Sequence, residues 1–193
     1  MATLDSPSPS GKRELLLDTA WDLFCRNGYH AVGIDTVLAK AGVAKMTLYN
    51  NFDSKDDLIA AAMERKGAEK LISLERVIEA AGRSPQKRLM AVFDWLEAWF
   101  ESKDFSGCAF LKAVGEYSAV GDKPRKAGAA FKLGLQRRLE TLCAEAGLRS
   151  PATIARQLML IIDGATFHAD MHGNPGYATD ARQAARILIE QAS

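Results

Sequence analysis

Cysteine is scarce in this 193-residue chain and badly placed for cross-linking: Cys25, Cys108 and Cys143 are odd in number, far apart and without CxxC spacing. That pattern excludes a disulfide framework and a thiolate zinc site, and it fits buried, reduced thiols. Long apolar runs are missing as well. The strongest, Leu158 to Ile162, is boxed between Arg156 and Asp163 and falls far short of the roughly 20 residues that a membrane span needs. No sign of charge dominates either. The formal net charge is +1, and basic and acidic side chains balance between Gly11 and Lys66, so no basic stripe announces nucleic acid. Residues Met1 to Ser10 hold Pro7, Pro9 and three serines but neither a basic start nor an apolar stretch. They read as a flexible tail and not as a secretory signal, and the expectation is a soluble, cytoplasmic, globular protein.

Catalytic signatures are equally sparse. There is no GxSxG elbow and no glycine fingerprint opening from a strand. Gly28 and Gly33 have the spacing of a phosphate-loop start, but Ile34 and Asp35 stand where Lys and Ser/Thr are required. His168 and His172 are four apart with Asp170 between them, a spacing that lets two imidazoles share one helical face as metal ligands do. Ala169 replaces the glutamate of an HExxH hydrolase, and the following HGNPG sequence ends the helix before His172. No metal and no cofactor is assigned. An ordered nucleophile, base and orienter are also missing, so no enzyme is expected.

What the chain has is helical periodicity. Leu15, Leu16, Ala20, Leu23 and Phe24 form the apolar face of a first helix ending near Gly28. Ser54, with Asp57 three residues on, has the form of a capping box and opens a long helix to about Ala81, with Gly67 marking a bend. Ser84-Pro85 and Ser150-Pro151 are matching start signals, a capping serine before a proline at the first helical position. They open helices carrying Leu89, Val92, Phe93, Leu96, Trp99 and Phe100, and later Leu158, Ile161, Ile162 and Ala165. Between them, Cys108 to Ala119 and Pro124 to Ala146 read as two more helices, and a last one runs from Ala178 to Ala192. No segment alternates as a strand would. The fold class is therefore all-α.

The most informative stretch is IDTVLAKAGVAKMTLYNNFDSK, Ile34 to Lys55. Ile34, Val37, Leu38 and Ala41 fall at i, i+3, i+4 and i+7, one face of a two-turn helix. Gly42 ends it where a positive φ is wanted, and Val43 plugs the space beyond. A second short helix starts near Ala44 with Leu48 and Phe52 facing inward. Lys45, Met46, Thr47, Tyr49, Asn50 and Asn51 are left to face outward or lie at the flanks, a set suited to phosphate oxygens and base edges.

The run AGVAKMTLYNNFDSKDDL strongly resembles the recognition segment of the tetracycline-repressor (TetR) family, whose usual form is AGVSKGTLYxxFxSKExL. Upstream, LFCRNGYHAVGIDTVLAKAG resembles the rest of that signature. The resemblance covers the first third of the chain closely and the helical remainder more loosely. It implies an N-terminal three-helix helix-turn-helix domain over residues 11–54, after the tail of residues 1–10. A long helix joins it to a larger helical domain, 55–193, for effector binding and dimerisation. The DNA-contact positions carried over are Ile34, Asp35, Thr36, Lys45, Met46, Thr47, Tyr49, Asn50, Asn51 and Lys55. Ala44 and Met46 depart from the usual serine and glycine, so no relative's base preference transfers.

The same resemblance implies a homodimer through the last two helices, with Ala165, Ala181, Ala184, Ala185 and Leu188 allowing close approach. It implies a pocket for a small-molecule effector, for which the candidate walls are Trp95, Trp99, Phe110, Tyr117, Phe131, Phe167, His168 and Met171, with Glu116 and Asp163 as polar handles. The function implied is a ligand-responsive transcriptional repressor of a near-palindromic operator. The alternatives are a DNA-binding regulator without such a pocket, governed by a partner protein or by oxidation of Cys108, and an enzyme built on the same helical scaffold.

Overall fold

The computed structural model describes residues 9–193. Residues 1–8 of the expected tail lie outside the described residues, and helix begins at Pro9. The described residues form nine helices and no strand: α1 (Pro9–Asn27), α2 (Ile34–Ala41), α3 (Lys45–Tyr49), α4 (Lys55–Ala80), α5 (Pro85–Phe100), α6 (Ala109–Glu116), α7 (Lys123–Glu145), α8 (Pro151–His172) and α9 (Tyr177–Ala192). They pack into two compact units. The first takes the chain up to Lys66 together with Ala109–Ala129, and the second takes Gly67–Cys108 with Ala130–Ser193. Helices α4 and α7 give residues to both, and α4 runs unbroken through Gly67.

In the first unit, α1 buries Leu16, Leu17, Ala20 and Phe24, while Leu15 stays 40% exposed and Leu23 half-buried. The expected face was thus turned by about one residue. Leu16, Ala20 and Phe24 share an i, i+4, i+8 row, Leu17 flanks it on the packed side, and Leu15 lies a 100° step away on the open side. From α4 come Leu58, Ile59, Ala62 and Met63, and from α6 Ala109, Phe110 and Ala113. Gly128 on α7 lets that helix lie against α6. A Cβ there would sit 2.7 Å from the Phe110 carbonyl oxygen. On the rim, Arg65 of α4 pairs with Glu14 and Asp18 of α1, and Lys66 reaches Asp18 at 3.1 Å.

The second unit has one core, in which Leu74, Ile78, Leu89, Phe93, Leu139, Leu158 and Ala185 are among the most deeply buried. Ion pairs of Arg138 with Glu75, Arg88 with Glu145 and Arg182 with Asp94 brace its surface. Ser84 caps α5 as expected, accepting from the Lys87 N–H at 3.4 Å, with Pro85 at the first helical position. Ser150 does not repeat this. It holds φ 55° and offers no side-chain cap; its carbonyl takes the Thr153 and Ile154 N–H groups instead. The turn there is tied down by Arg149, whose N–H donates to the Ala192 carbonyl at 2.8 Å and whose guanidinium donates to the Gln191 carbonyl at 2.8 Å. Those bonds close the C-terminus of α9. Helix α8 also runs through to His172, because Gly173 (φ 60°) supplies the left-handed cap directly after it.

Cys108 and Cys143 are buried and Cys25 half-buried, and none of the three is in a disulfide. Burial, with Glu140 nearby, pushes the Cys143 thiol up to about 11, so it stays protonated at neutral pH.

Phe93→Ala is expected to destabilise the fold by about 3–5 kcal/mol, through lost transfer energy and the cavity left behind. Gly128→Ala is expected to cost roughly 1–3 kcal/mol, because α7 must move off the Phe110 carbonyl. Denaturant midpoints at one fixed protein concentration check both, and an unchanged midpoint for either removes that contact from the account of stability.

Candidate nucleic-acid interface

Helix α2 turns Val37, Leu38 and Ala41 into the core and leaves Ile34 half-buried at its start. Gly42 closes it at φ 65°, its N–H donating to the Leu38 carbonyl, and the Val43 N–H donates to the same oxygen at 3.3 Å. Ala44 then has extended backbone and no side-chain cap, and its carbonyl accepts from Thr47 at 2.9 Å to start α3. Leu48 is fully buried. Its carbonyl accepts the N–H groups of Asn51 at 2.9 Å and Phe52 at 2.8 Å, which winds the chain so that Phe52 enters the core too.

Holding Leu48 and Phe52 inside forces the rest of α3 outward. Met46 is 69% exposed and Tyr49 48% exposed, two large side chains left on the surface. Lys45, Asn50 and Asn51 are exposed beside them, and Thr47 is half-buried. Asn51 is turned back, donating from Nδ2 to the Thr47 carbonyl at 2.7 Å. Asp35 and Thr36 are exposed in the first turn of α2, and Asp35 lies 3.7 Å from the Lys45 ammonium, so the two short helices meet on this face. Lys55 is half-buried, its ammonium 5.9 Å from the centre of the Phe24 ring. Ile34 and Lys55 are therefore flanking members of the sequence-predicted set, Thr47 is half-buried, and the others lie on the open surface of α2, α3 and the turn after it.

The base of this face is closed by the start of α4. Ser54 Oγ accepts from the Asp57 N–H at 3.1 Å and donates its hydroxyl to the Asp57 carboxylate at 2.8 Å. Lys123 of α7 pairs with the same carboxylate, and that pair, before the Ser54 bond, holds Asp57 below the usual carboxylate range and Lys123 above the usual lysine range. Tyr117 donates to Asp56 at 2.9 Å; burial first, then that bond, pushes its phenol well up. Glu116 accepts from the backbone N–H groups of Tyr29 and His30. Sequence reading did not find Lys123 or this use of Glu116, since each partner lies dozens of positions away and no periodicity links them.

The effector candidates divide between the two units. Phe110, Glu116 and Tyr117 belong to the first unit, where Phe110 lies 5.6 Å from Trp21. In the second unit, Trp95 and Trp99 stack at 6.2 Å with Phe105 edge-on to Trp99 at 5.1 Å, and Trp95 donates to Ser73 Oγ at 3.3 Å. Phe131 is buried, and Asp163 pairs with Lys132. Phe167, His168 and Met171 are exposed on α8. His168 and His172 face each other at 5.7 Å with Tyr177 beside them, yet among the described residues no group of three or more His, Cys, Asp or Glu is placed to hold a metal.

The small residues expected between subunits are partly spent inside the chain. Ala165, Ala181 and Ala185 are buried in the core of the second unit, where small side chains let its helices pack closely. Ala184 is exposed and Leu188 half-buried, and the large apolar side chains left open on these helices are Leu160, Phe167, Met171 and Ile187. No helix among the described residues is long and apolar enough to cross a membrane.

Residues 16–62 match the family model described as bacterial regulatory proteins, tetR family. The chain is 36% identical over 90 residues to the transcriptional activator FasR of Mycolicibacterium smegmatis, a match covering 47% of this chain and 39% of that one. It is 32% identical over 88 residues to the transcriptional repressor KstR2 of Rhodococcus jostii, covering 46% and 43%. The chain thus spans less than half the length of these two curated relatives. A solved TetR-family transcriptional regulator from Streptomyces coelicolor superposes with a TM-score of 0.86 at 28% identity, over 95% of this chain and 97% of that one. The reduced form of Escherichia coli NemR shares the fold at a TM-score of 0.83 and 23% identity, over 91% and 95%.

The Asp57 pair carries a pH signature. Its carboxylate is depressed in the folded protein, so its stabilisation is present above the ordinary value of 3.8 and is lost as pH falls through the folded value. The melting temperature of Asp57→Asn is expected to fall less than that of wild type as pH drops from about 5 to about 2. Parallel acid limbs in a thermal melt series would show that the pair contributes nothing to folding.

Proposed function

We propose that this chain, which belongs to the TetR family of bacterial regulatory proteins, is a homodimeric, cytoplasmic repressor that binds a near-palindromic operator and releases it when a small-molecule effector binds. The chain is a transcriptional regulator and not an enzyme, as are the relatives it resembles. The observation that carries the DNA-reading proposal is the outward face of α3, with Met46 and Tyr49 exposed while Leu48 and Phe52 anchor the helix from behind. In this reading α3 enters the major groove. Lys45 and Met46 face base edges, Thr47, Tyr49, Asn50 and Lys55 hold phosphates, and Ile34, Asp35, Thr36 and Asn51 line the approach. Residues 11–54 do the reading, and 55–193 hold the effector and the partner subunit.

The open apolar side chains Leu160, Phe167, Met171 and Ile187 on α8 and α9 support a dimer through these helices. Two reading helices then address half-sites about 34–36 Å apart, or a multiple of that distance. The half-buried Trp95, Trp99 and Phe105 cluster supports an effector with a flat or apolar part. Linkage demands reciprocity: an effector that weakens operator binding must itself bind less tightly to the DNA-bound form, by the same factor.

Footprinting on the DNA flanking its own gene and selection from a randomised duplex pool test the reading. A protected near-palindrome, bound less tightly with rising salt, is expected; no enrichment from either source overturns it. Tyr49→Phe and Lys55→Ala are expected to weaken binding across sequences, whereas Lys45→Ala or Met46→Ala shifts base preference by roughly 1–3 kcal/mol at the position read. Unaltered affinity and preference in all four variants would remove α3 as the reading helix. A Leu160→Glu, Phe167→Glu variant is expected to sediment as a monomer, and a persisting dimer would move the interface off this face.

A further inference from the structure

Asp35 and Lys45 bring opposite charges to one spot on the open surface of the first unit. Asp35 is the second residue of α2 and Lys45 the first of α3. Gly42 at φ 65° and Val43, whose N–H groups share the Leu38 carbonyl, turn the chain between the helices so that side chains from the two first turns meet. The Lys45 Nζ lies 3.7 Å from Asp35 Oδ1. That is an ion pair too long for a hydrogen bond, so the ammonium N–H groups and the carboxylate oxygens are not spent on one another. Both side chains stay open, Lys45 62% and Asp35 88% exposed.

A pair this exposed adds little to folding, because water screens it. Asp35 does sit favourably for the dipole of α2, in a first turn that no side chain caps. On a face that meets DNA, however, a carboxylate repels the phosphates around it. What the pair offers in return is a pattern, a cluster of donors beside an acceptor. The major-groove edge of a G·C pair carries the inverse, with guanine N7 and O6 accepting and cytosine N4 donating next to them. An A·T pair in the same orientation sets the adenine N6 donor against the ammonium and the thymine O4 acceptor against the carboxylate.

We infer that Asp35 and Lys45 read one G·C pair of the operator half-site as a unit, Lys45 donating to guanine N7 and O6 and Asp35 accepting from N4 of the paired cytosine. This rests on the DNA-reading face proposed above, and it moves Asp35 from the approach to a base of its own. The carboxylate acts chiefly by exclusion. It weakens binding to all DNA slightly and to a thymine at that place much more, so specificity is gained where raw affinity is given up.

The test selects sites from a randomised duplex pool with wild type, Asp35→Asn and Lys45→Ala, then titrates each protein against single base-pair changes in the wild-type site. Wild type is expected to require G·C at one position of the half-site, binding A·T there roughly tenfold more weakly. In Asp35→Asn the amide NH₂ donates to thymine O4 as readily as its carbonyl accepts from cytosine N4, so that gap should close to about twofold. A C·G pair, which turns the cytosine N4 donor toward Lys45, stays rejected. Binding to unrelated duplex should tighten as the repulsion is removed, and Lys45→Ala should relax the same position. Asp35→Ala, with neither donor nor acceptor, should narrow the same gap, and a thermal melt of each variant checks that the fold is intact. A wild-type site with no G·C that both substitutions relax overturns the inference. So does an equal loss of affinity for all sequences in Asp35→Asn, the result that a purely structural role in α2 would give. Enrichment of no sequence by wild type instead overturns the DNA-reading face beneath it.

Discussion

A helix of five residues cannot hold its own shape in water, because nucleation fixes several residues before a useful number of hydrogen bonds is made. Helix α3 is that short, and its presence depends on burying Leu48 and Phe52 in the first unit. That one constraint organises the rest. It requires α2 on one side, closed by Gly42 so that Val43 can follow, and it requires α1 with Leu16, Leu17, Ala20 and Phe24 behind. It also decides the outward face by subtraction. With two positions spoken for, Lys45, Met46, Tyr49 and Asn50 have nowhere to go but the surface.

Helices α1 to α3 alone form too small a core to be rigid. The structure supplies the missing support from a distant part of the chain. Helix α6 and the start of α7 pack with it, bringing Phe110 against Trp21, Lys123 to Asp57, Tyr117 to Asp56 and Glu116 to the Tyr29–His30 amides. Several of these partners are charged or polar side chains meeting groups that would otherwise lose water without compensation. Such contacts are directional, so they orient these helices as well as stabilise them.

The second unit follows a plainer logic. Its helices bury one contiguous set of Leu, Ile, Val and Phe side chains, with Ala181 and Ala185 of α9 among them. Those small residues are committed inside the chain, and the apolar side chains left exposed on α8 and α9 are larger ones, Leu160, Phe167, Met171 and Ile187. The expected interface alanines were legible as small, but smallness does not say which neighbour they admit. The same ambiguity scattered the effector candidates. Aromatic character marks Phe110, Trp99 and Phe167 equally in the sequence, whereas the fold sends the first into the first unit, the second into an aromatic cluster and the third to the surface.

Much of the local chemistry was written in the sequence. Helical period, the Gly42 turn, the Ser54 and Ser84 caps and the inward Leu48 and Phe52 could all be read, because each depends on residues within a few positions of one another. Even the misplaced Leu15 differs from Leu17 by two steps on the same helix, a choice that only the packing partner makes. The long-range decisions belonged to the tertiary structure. Ser150 lost its capping role to a turn held by the far end of α9, and Glu116 found its partners 87 and 86 residues away. A carboxylate carries no mark of the amides it will meet; topology brings them together, and with them the link between α6 and the reading head.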